Sequence, residues 1–244
     1  MRIISVTRNL CAVGLVQAQG FSASTAPKTD QTAPPLVPAL SVITQSASTT
    51  ITVGNSEVCL EQGVGTTQNQ YLRRFFLAAD HGIVNQFHVE SVVFGVEEAT
   101  NAGGTQPLTV NLYTIANGAP FLYANMTLIG SMGTTIPDES GVIENVAVTG
   151  SVADPNTLDL VVEIVSPDLR PTGGSFLVGS NNAGQTRPSY LAAADCGVTQ
   201  PTDTAVLGFP DMHIIFLVNY SDRYLVTGAG SGSQSLLRRY QRQL

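Results

Sequence analysis

The chain has 244 residues, with 18 Asp and Glu against 11 Lys and Arg, long enough for one large β domain or two small ones with a sizeable core. Residues 46–220 hold four Arg against sixteen acids, a net of about −12 that argues against nucleic acid as a partner. Lys28 is the only lysine, Trp is absent, and Gly, Ser, Thr, Asn and Val abound, so the surface reads as hydroxyl- and amide-rich strand and loop rather than helix.

The chain opens on "MRIISVTRNLCAVGLVQAQGFSAS". Two arginines, a short apolar stretch and small residues follow in the order of a secretion signal, so residues 1–20 are expected to be signal-peptide-like. Residues 21–50 are rich in Pro, Ser, Thr and Ala and read as an extended linker. Within it, "LVPALSVIT" is apolar enough to dock as an edge strand. No stretch of the sequence approaches the ~20 apolar residues that a membrane helix needs.

Residues 51–222 read as one domain, in which short apolar runs alternate with Gly, Asn, Asp and Pro in the cadence of an all-β sandwich. Strands are predicted at 71–78, 87–98, 108–115, 126–131, 142–149, 158–165, 176–179, 189–193 and 213–220. Turn chemistry falls at "ANGAP", "PDESG", "ADPN" and "PTGG". Alternation assigns faces: Leu108, Val110 and Leu112 oppose Thr109, Asn111 and Tyr113, while Leu158, Leu160, Val162 and Ile164 oppose Asp159, Val161, Glu163 and Val165. Val142, Glu144, Val146 and Val148 likewise interleave with Ile143, Asn145, Ala147 and Thr149. Phe87 and Val89 have the opposite parity to Val92, Phe94 and Val96, which predicts a bulge near Ser91. Residues 223–244 join a Gly/Ser tether to a short basic piece, expected to be a frayed end or a docking tail.

Cys59 and Cys196 lie near the two ends of the domain. In an oxidising compartment they would close a large loop as a disulfide; the alternative is two independent buried thiols. No Cys/His spacing suggests zinc.

Motifs that carry chemistry are few. Asp80 and His81 are neighbours in a turn, whereas a catalytic triad converges from separate segments. His88 and Glu90 are expected as a polar pair on an exposed strand face. No Gly-x-Ser-x-Gly elbow is present, and the Ser/Gly tail near Ser231 lacks its strand–turn–helix context. Glu97 and Glu98, as neighbours on a strand, point to opposite faces and do not form the paired carboxylates of a glycosidase. Calcium is the metal that Glu97 or Glu98 would suit, together with loop carbonyls and Asp211, although no Asp-x-Asp-x-Asp-Gly loop marks it. No cofactor is otherwise expected. "GVGT" at 63–66 lacks the lysine and helix of a phosphate loop. Tyr71, Tyr113, Tyr123 and Tyr190 would stack on sugar rings if they shared an exposed face; the alternative is that they are part of the packed sandwich. Asn125 and Asn219 each begin an N-glycosylation acceptor triplet.

The succession "CLEQGVGTTQNQYLRRFFLAAD", "FHVESVVFGVEEAT", "QPLTVNLYTI" and "MHIIFLVNY" resembles the jelly-roll sandwiches of carbohydrate-binding and cell-surface modules in secreted bacterial multidomain proteins. The resemblance spans roughly residues 58–220 and transfers no ligand residue. It implies an antiparallel jelly-roll-like β-sandwich, secreted or at the cell surface, that is not an enzyme and binds a glycan or another extracellular protein. The competing expectation is a structural subunit that self-associates through edge strands or the basic tail. A third, a secreted hydrolase, would need Glu90, Glu144 and Asp211 to converge in one cleft.

Overall fold

A computed structural model describes residues 40–221. The signal-like residues 1–20, most of the linker and the tether and tail at 223–244 lie outside the described residues. The strands run in chain order as β1 (Ser41–Thr44), β2 (Leu60–Glu61), β3 (Gly65–Thr66), β4 (Asn69–Phe75), β5 (Phe87–Thr100), β6 (Thr105–Ala116) and β7 (Met126–Pro137). They continue as β8 (Glu139–Val152), β9 (Leu158–Ser166), β10 (Ser175–Asn181), β11 (Tyr190–Ala193), β12 (Val198–Asp203), β13 (His213–Ile214) and β14 (Phe216–Ser221). Among the described residues one short α-helix, α1 (Leu77–His81), follows β4.

The chain is an all-β sandwich of two antiparallel sheets. One runs β12-β11-β4-β9-β6-β7. The other is organised on β5, which pairs with β8 along one side. On its other side β5 pairs first with β14 and then with β10, with β1 lying beyond β14 and β13 beyond β10. The two inner faces meet in one core, to which the first sheet gives Tyr71, Phe75, Val110, Leu160 and Val162, and the second Val92, Phe94, Phe176, Val178 and Phe216. The parity read for β6, β8 and β9 is the parity observed: Leu112, Val148, Leu160 and Val162 are buried inward, and Ile143, Asn145 and Thr149 are exposed.

The bulge near Ser91 is present. Asn219 pairs with Ser91 and Tyr220 with Val89, so Glu90 is the extra residue that restores inward parity.

The boundaries depart from the sequence expectation most clearly in three places. The sandwich begins inside the stretch read as linker, because β1 is an edge strand on β14. Ile43 enters the core, Thr44 donates to the Phe216 carbonyl, Ser46 to that of Ile214 and Gln45 to that of Arg74. The hydroxyl and amide groups that made this stretch look like solvated linker are thus spent on sheet carbonyls. The predicted strand at 71–78 ends at Phe75, and the Ala-containing run after it closes one helical turn capped by Gly82 at φ 66°. The strand β7 extends six residues past its predicted end, through "MGTTIP".

β5 changes partners where Gly95 faces Gly179. A Cβ on Gly95 would lie 2.9 Å from the Gly179 Cα, and one on Gly179 would lie 2.6 Å from the Gly95 Cα. The constraint is crowding, since neither residue has a left-handed φ. Gly95→Ala and Gly179→Ala are each expected to lower unfolding free energy by roughly 1–3 kcal/mol. Gly133→Ala, in open space on β7, should stay within about 0.5 kcal/mol of the parent. Urea unfolding of the three variants checks the contrast.

Cys59 and Cys196 form a disulfide with Cα atoms 6.0 Å apart, across 137 residues of sequence. It ties the segment before β2 to the 3₁₀ turn between β11 and β12. The buried Asn69 side chain brackets Cys59, accepting from its N–H at 2.8 Å and donating to its carbonyl at 3.0 Å. Arg170 joins the same region, reaching Asp168 at 2.7 Å, Asp195 at 2.8 Å and Glu61 at 3.5 Å. These ion pairs are exposed and contribute little, so the covalent link dominates. The Cys59→Ser/Cys196→Ser variant should lose about 2–5 kcal/mol in denaturant unfolding. Reductant should weaken the parent by a similar amount and leave the variant unchanged.

Candidate functional site

The outer face of the β4–β9–β6 sheet is half covered, and the cover comes from the chain itself. Parity sends Leu72 and Arg74 of β4, Asp159, Val161 and Glu163 of β9, and Asn111, Tyr113 and Ile115 of β6 outward. Leu72, Ile115 and Val161 form a second small apolar cluster, on which Tyr113, Ala119, Phe121, Tyr123 and Tyr190 pack. Residues 117–125 fold over this face because Arg74 holds them. Its guanidinium pairs with Asp159 at 2.7 Å and donates to the carbonyls of Ala116 at 3.0 Å and Ala119 at 2.8 Å. The same guanidinium lies 5.0 Å from the Phe76 ring centre and 5.8 Å from that of Phe121.

Glu163 is the hub of the face. It is 1% exposed, and each carboxylate oxygen accepts two hydrogen bonds. Tyr123 Oη at 2.9 Å and Gln70 Nε2 at 3.2 Å donate to Oε1; Tyr113 Oη at 2.9 Å and Asn111 Nδ2 at 2.9 Å donate to Oε2. Burial, and then the adjacent Glu163 charge, push both phenols far above their ordinary range, so both hydroxyls remain donors. Tyr190 packs edge-on to Phe121 with ring centres 4.5 Å apart.

Of the four tyrosines singled out in the sequence, three therefore share one face. Tyr71 does not: it is fully buried in the core, edge-on to Phe176. Sequence reasoning missed Glu163 as a centre, along with Gln70, Asn111, Arg74 and Phe121. The available signal was Val161, an apolar residue among the outward-facing acids of a strand whose other face is wholly apolar, which marks a strand covered on both sides.

The remaining candidates do not converge. Asp80 forms a two-pronged pair with Arg187 at 2.6 and 2.7 Å, which holds its carboxyl below the usual range. His81 turns to the Phe75 ring instead, with Nε2 shielded from solvent and unpartnered among the described residues. His88 Nδ1 shares a hydrogen bond of 2.8 Å with Ser151, and Glu90 accepts from Ser221. These two residues line an open groove of about 590 Å³ with Ile129, Thr149 and Ser151.

Glu97 accepts the backbone N–H groups of Gly54 at 2.7 Å and Ser56 at 3.1 Å, while Glu98 is exposed. Asp211 meets the same loop through its carbonyl, which accepts from Asn55 at 3.1 Å. Among the described residues, no group of three His, Cys, Asp or Glu is placed to hold a metal ion. Glu144 lies opposite Phe94, four residues along β5 from Glu90, or about 13 Å. It neighbours Glu139, whose carboxyl is pushed up by burial and then by the Glu144 charge. Asn125 is exposed, whereas Asn219 is engaged within β14 and donates to Ser91.

The sequence matches no protein-family model, and a search of curated proteins finds no match. Among the described residues, no helix is long and apolar enough to cross a membrane.

Burial lowers the His81 pKa from its usual 6.5, with the Asp80 charge opposing. As pH falls through 6.5 the unfolded chain takes up this proton before the folded one does, so the fold loses stability toward acid in that window. His81→Phe should flatten this part of the profile, as measured by urea midpoints across the interval; an unchanged slope would place the acid sensitivity elsewhere.

Proposed function

We propose that this protein is a secreted, non-catalytic binding module of jelly-roll type that recognises a glycan on the outer face of the β4–β9–β6 sheet. The observation that supports the reading most is the placement of Tyr113, Tyr123 and Tyr190, drawn from β6, the 117–125 cover and β11, on one half-buried surface. Sugar rings pack on aromatic side chains, and the amides and hydroxyls held by Glu163 offer directional hydrogen bonds beside them. Two tyrosine hydroxyls fixed on a carboxylate lose little freedom on binding, so the face is preorganised. The disulfide supports an oxidising, extracellular setting.

A second reading, an assembly subunit, draws on Leu128 and Met132 of β7 and Ile143 of β8, large apolar residues exposed along two long edge strands. Sizing chromatography separates the two, because assembly requires a concentration-dependent rise in mass.

On a glycan array the parent protein should retain at least one oligosaccharide. In titration calorimetry, Tyr123→Ala and Tyr190→Ala should each weaken that ligand by about 2–12-fold. Both variants also remove packing or a Glu163 partner from the covered face, so their melting temperatures should fall, and each titration is run well below the variant's own transition. A folded protein that retains no glycan refutes the reading.

A further inference from the structure

Among the described residues, Glu163 is buried without a cationic partner. Its four partners are a primary amide on each side and two phenols, all neutral. The arginines of the described residues are committed elsewhere: Arg74 to Asp159, Arg187 to Asp80, Arg170 to three acids, and Arg73 to carbonyls in the core. The one lysine, Lys28, and the six other arginines of the sequence lie outside the described residues.

Charge accepted through hydrogen bonds polarises the donors, so Tyr113 and Tyr123 carry part of the Glu163 charge toward the surface. Aromatic faces are already negative at their centres. At the rim, Asp203 of β12 pairs with Tyr190 across the sheet and adds a second negative group on the same side. The combination of ring faces, amides and uncompensated negative charge suits a ligand that is both hydroxylated and cationic.

We infer that the Glu163–tyrosine face selects saccharides bearing a protonated amine, the 2-amino-2-deoxy sugars, over neutral or acidic ones. This deepens the glycan reading of the same face and rests on it. Glu163 itself is a positioning residue: it orients and polarises Tyr113 and Tyr123, and the ammonium group sits against the rings rather than on the carboxylate.

The test uses the full chain and three probes: a β-1,4-linked glucosamine hexamer, its fully N-acetylated counterpart, and hexalysine. At a pH where the amines are charged, the glucosamine hexamer should bind about 5–30-fold more tightly than the acetylated one. Added salt should narrow that preference. Glu163→Gln should bring the two hexamers to near-equal affinity, chiefly by weakening the charged one. If Glu163→Gln does not fold, Asp203→Asn on the edge strand serves instead, and a partial loss of preference is expected.

Equal affinities in the parent, binding of the acetylated hexamer alone, or a preference that survives these substitutions each overturn the amine inference and leave the glycan reading standing. Hexalysine binding as tightly as the glucosamine hexamer overturns the saccharide part. Failure of both hexamers, together with a blank array, brings down the glycan reading itself.

Discussion

A single buried guanidinium fixes how the two sheets sit on each other. Arg73 points inward between Tyr71 and Phe75 and is fully buried. Among the described residues it has no carboxylate partner; its Nε and Nη2 donate to the Ile214 carbonyl and its Nη1 to that of Arg187. Burial pulls its pKa down to about 9, the cost of placing a cation among apolar side chains. In return, the strand β4 of one sheet is pinned to the junction of β13 and β14 in the other. Ile214 is a node of that junction: its N–H donates to Ser189 and its carbonyl also accepts from Ser46. The junction is where β5 passes from β14 to β10, and where Gly95 and Gly179 pack too closely for side chains. Sliding of the sheets would leave a buried donor and its acceptors unpaired, at about 1–3 kcal/mol for each group.

The next residue does the same on the other side. A strand alternates its side chains, so the pair Arg73-Arg74 sends one cation into the core and one onto the outer face. Arg74 is neutralised by Asp159 and uses its remaining donors to draw residues 116–119 over the sheet. That fold-over carries Phe121 and Tyr123 to Tyr113 and Tyr190. Two outward acids of β9 thus meet different fates. Among the described residues, Asp159 is matched by a cation, whereas Glu163, four residues along, is matched only by neutral donors. The asymmetry separates a structural clamp from a surface with residual charge.

Much of the sandwich was legible in the sequence because period-two alternation reports on burial directly. It located the central strands and, through the parity change between Val89 and Val92, the bulge at Glu90. Alternation failed where strands are polar or short. The edge strand foreseen in "LVPALSVIT" showed by its apolar run rather than by alternation, while "VTQPTD" of β12 has almost no apolar signal, carries a proline and was missed. Such strands are held by backbone pairing and side-chain-to-carbonyl bonds, which leave no periodic trace. The candidate site was half legible. Three of its tyrosines were noted, but their grouping depends on a loop folded over a sheet, and that depends on Arg74, a residue whose charge reads as surface. Tyr71 took the packed alternative: its strand is covered on both faces, and hydroxyl polarity alone gives no guide to which side a strand tyrosine takes.

The edges bear on which surface of the sandwich is available to a partner. The first edge, β1, is four residues long, and β12 carries Pro201, which cannot donate to an added strand. The longer edges, β7 and β8, belong to opposite sheets and converge. A Cβ on Gly130 would lie 2.2 Å from the Thr149 carbonyl oxygen, so the two strands touch at that end and partly close the corner. Repulsion among the sixteen acids of residues 46–220 further opposes edge-to-edge pairing of copies. With strand addition restrained at these edges, the face around Glu163 combines the most fixed hydrogen-bonding geometry with unspent charge. Charge of that kind is stabilised when something cationic arrives, and this is the physical ground on which we propose ligand chemistry, rather than strand pairing, as the basis of recognition.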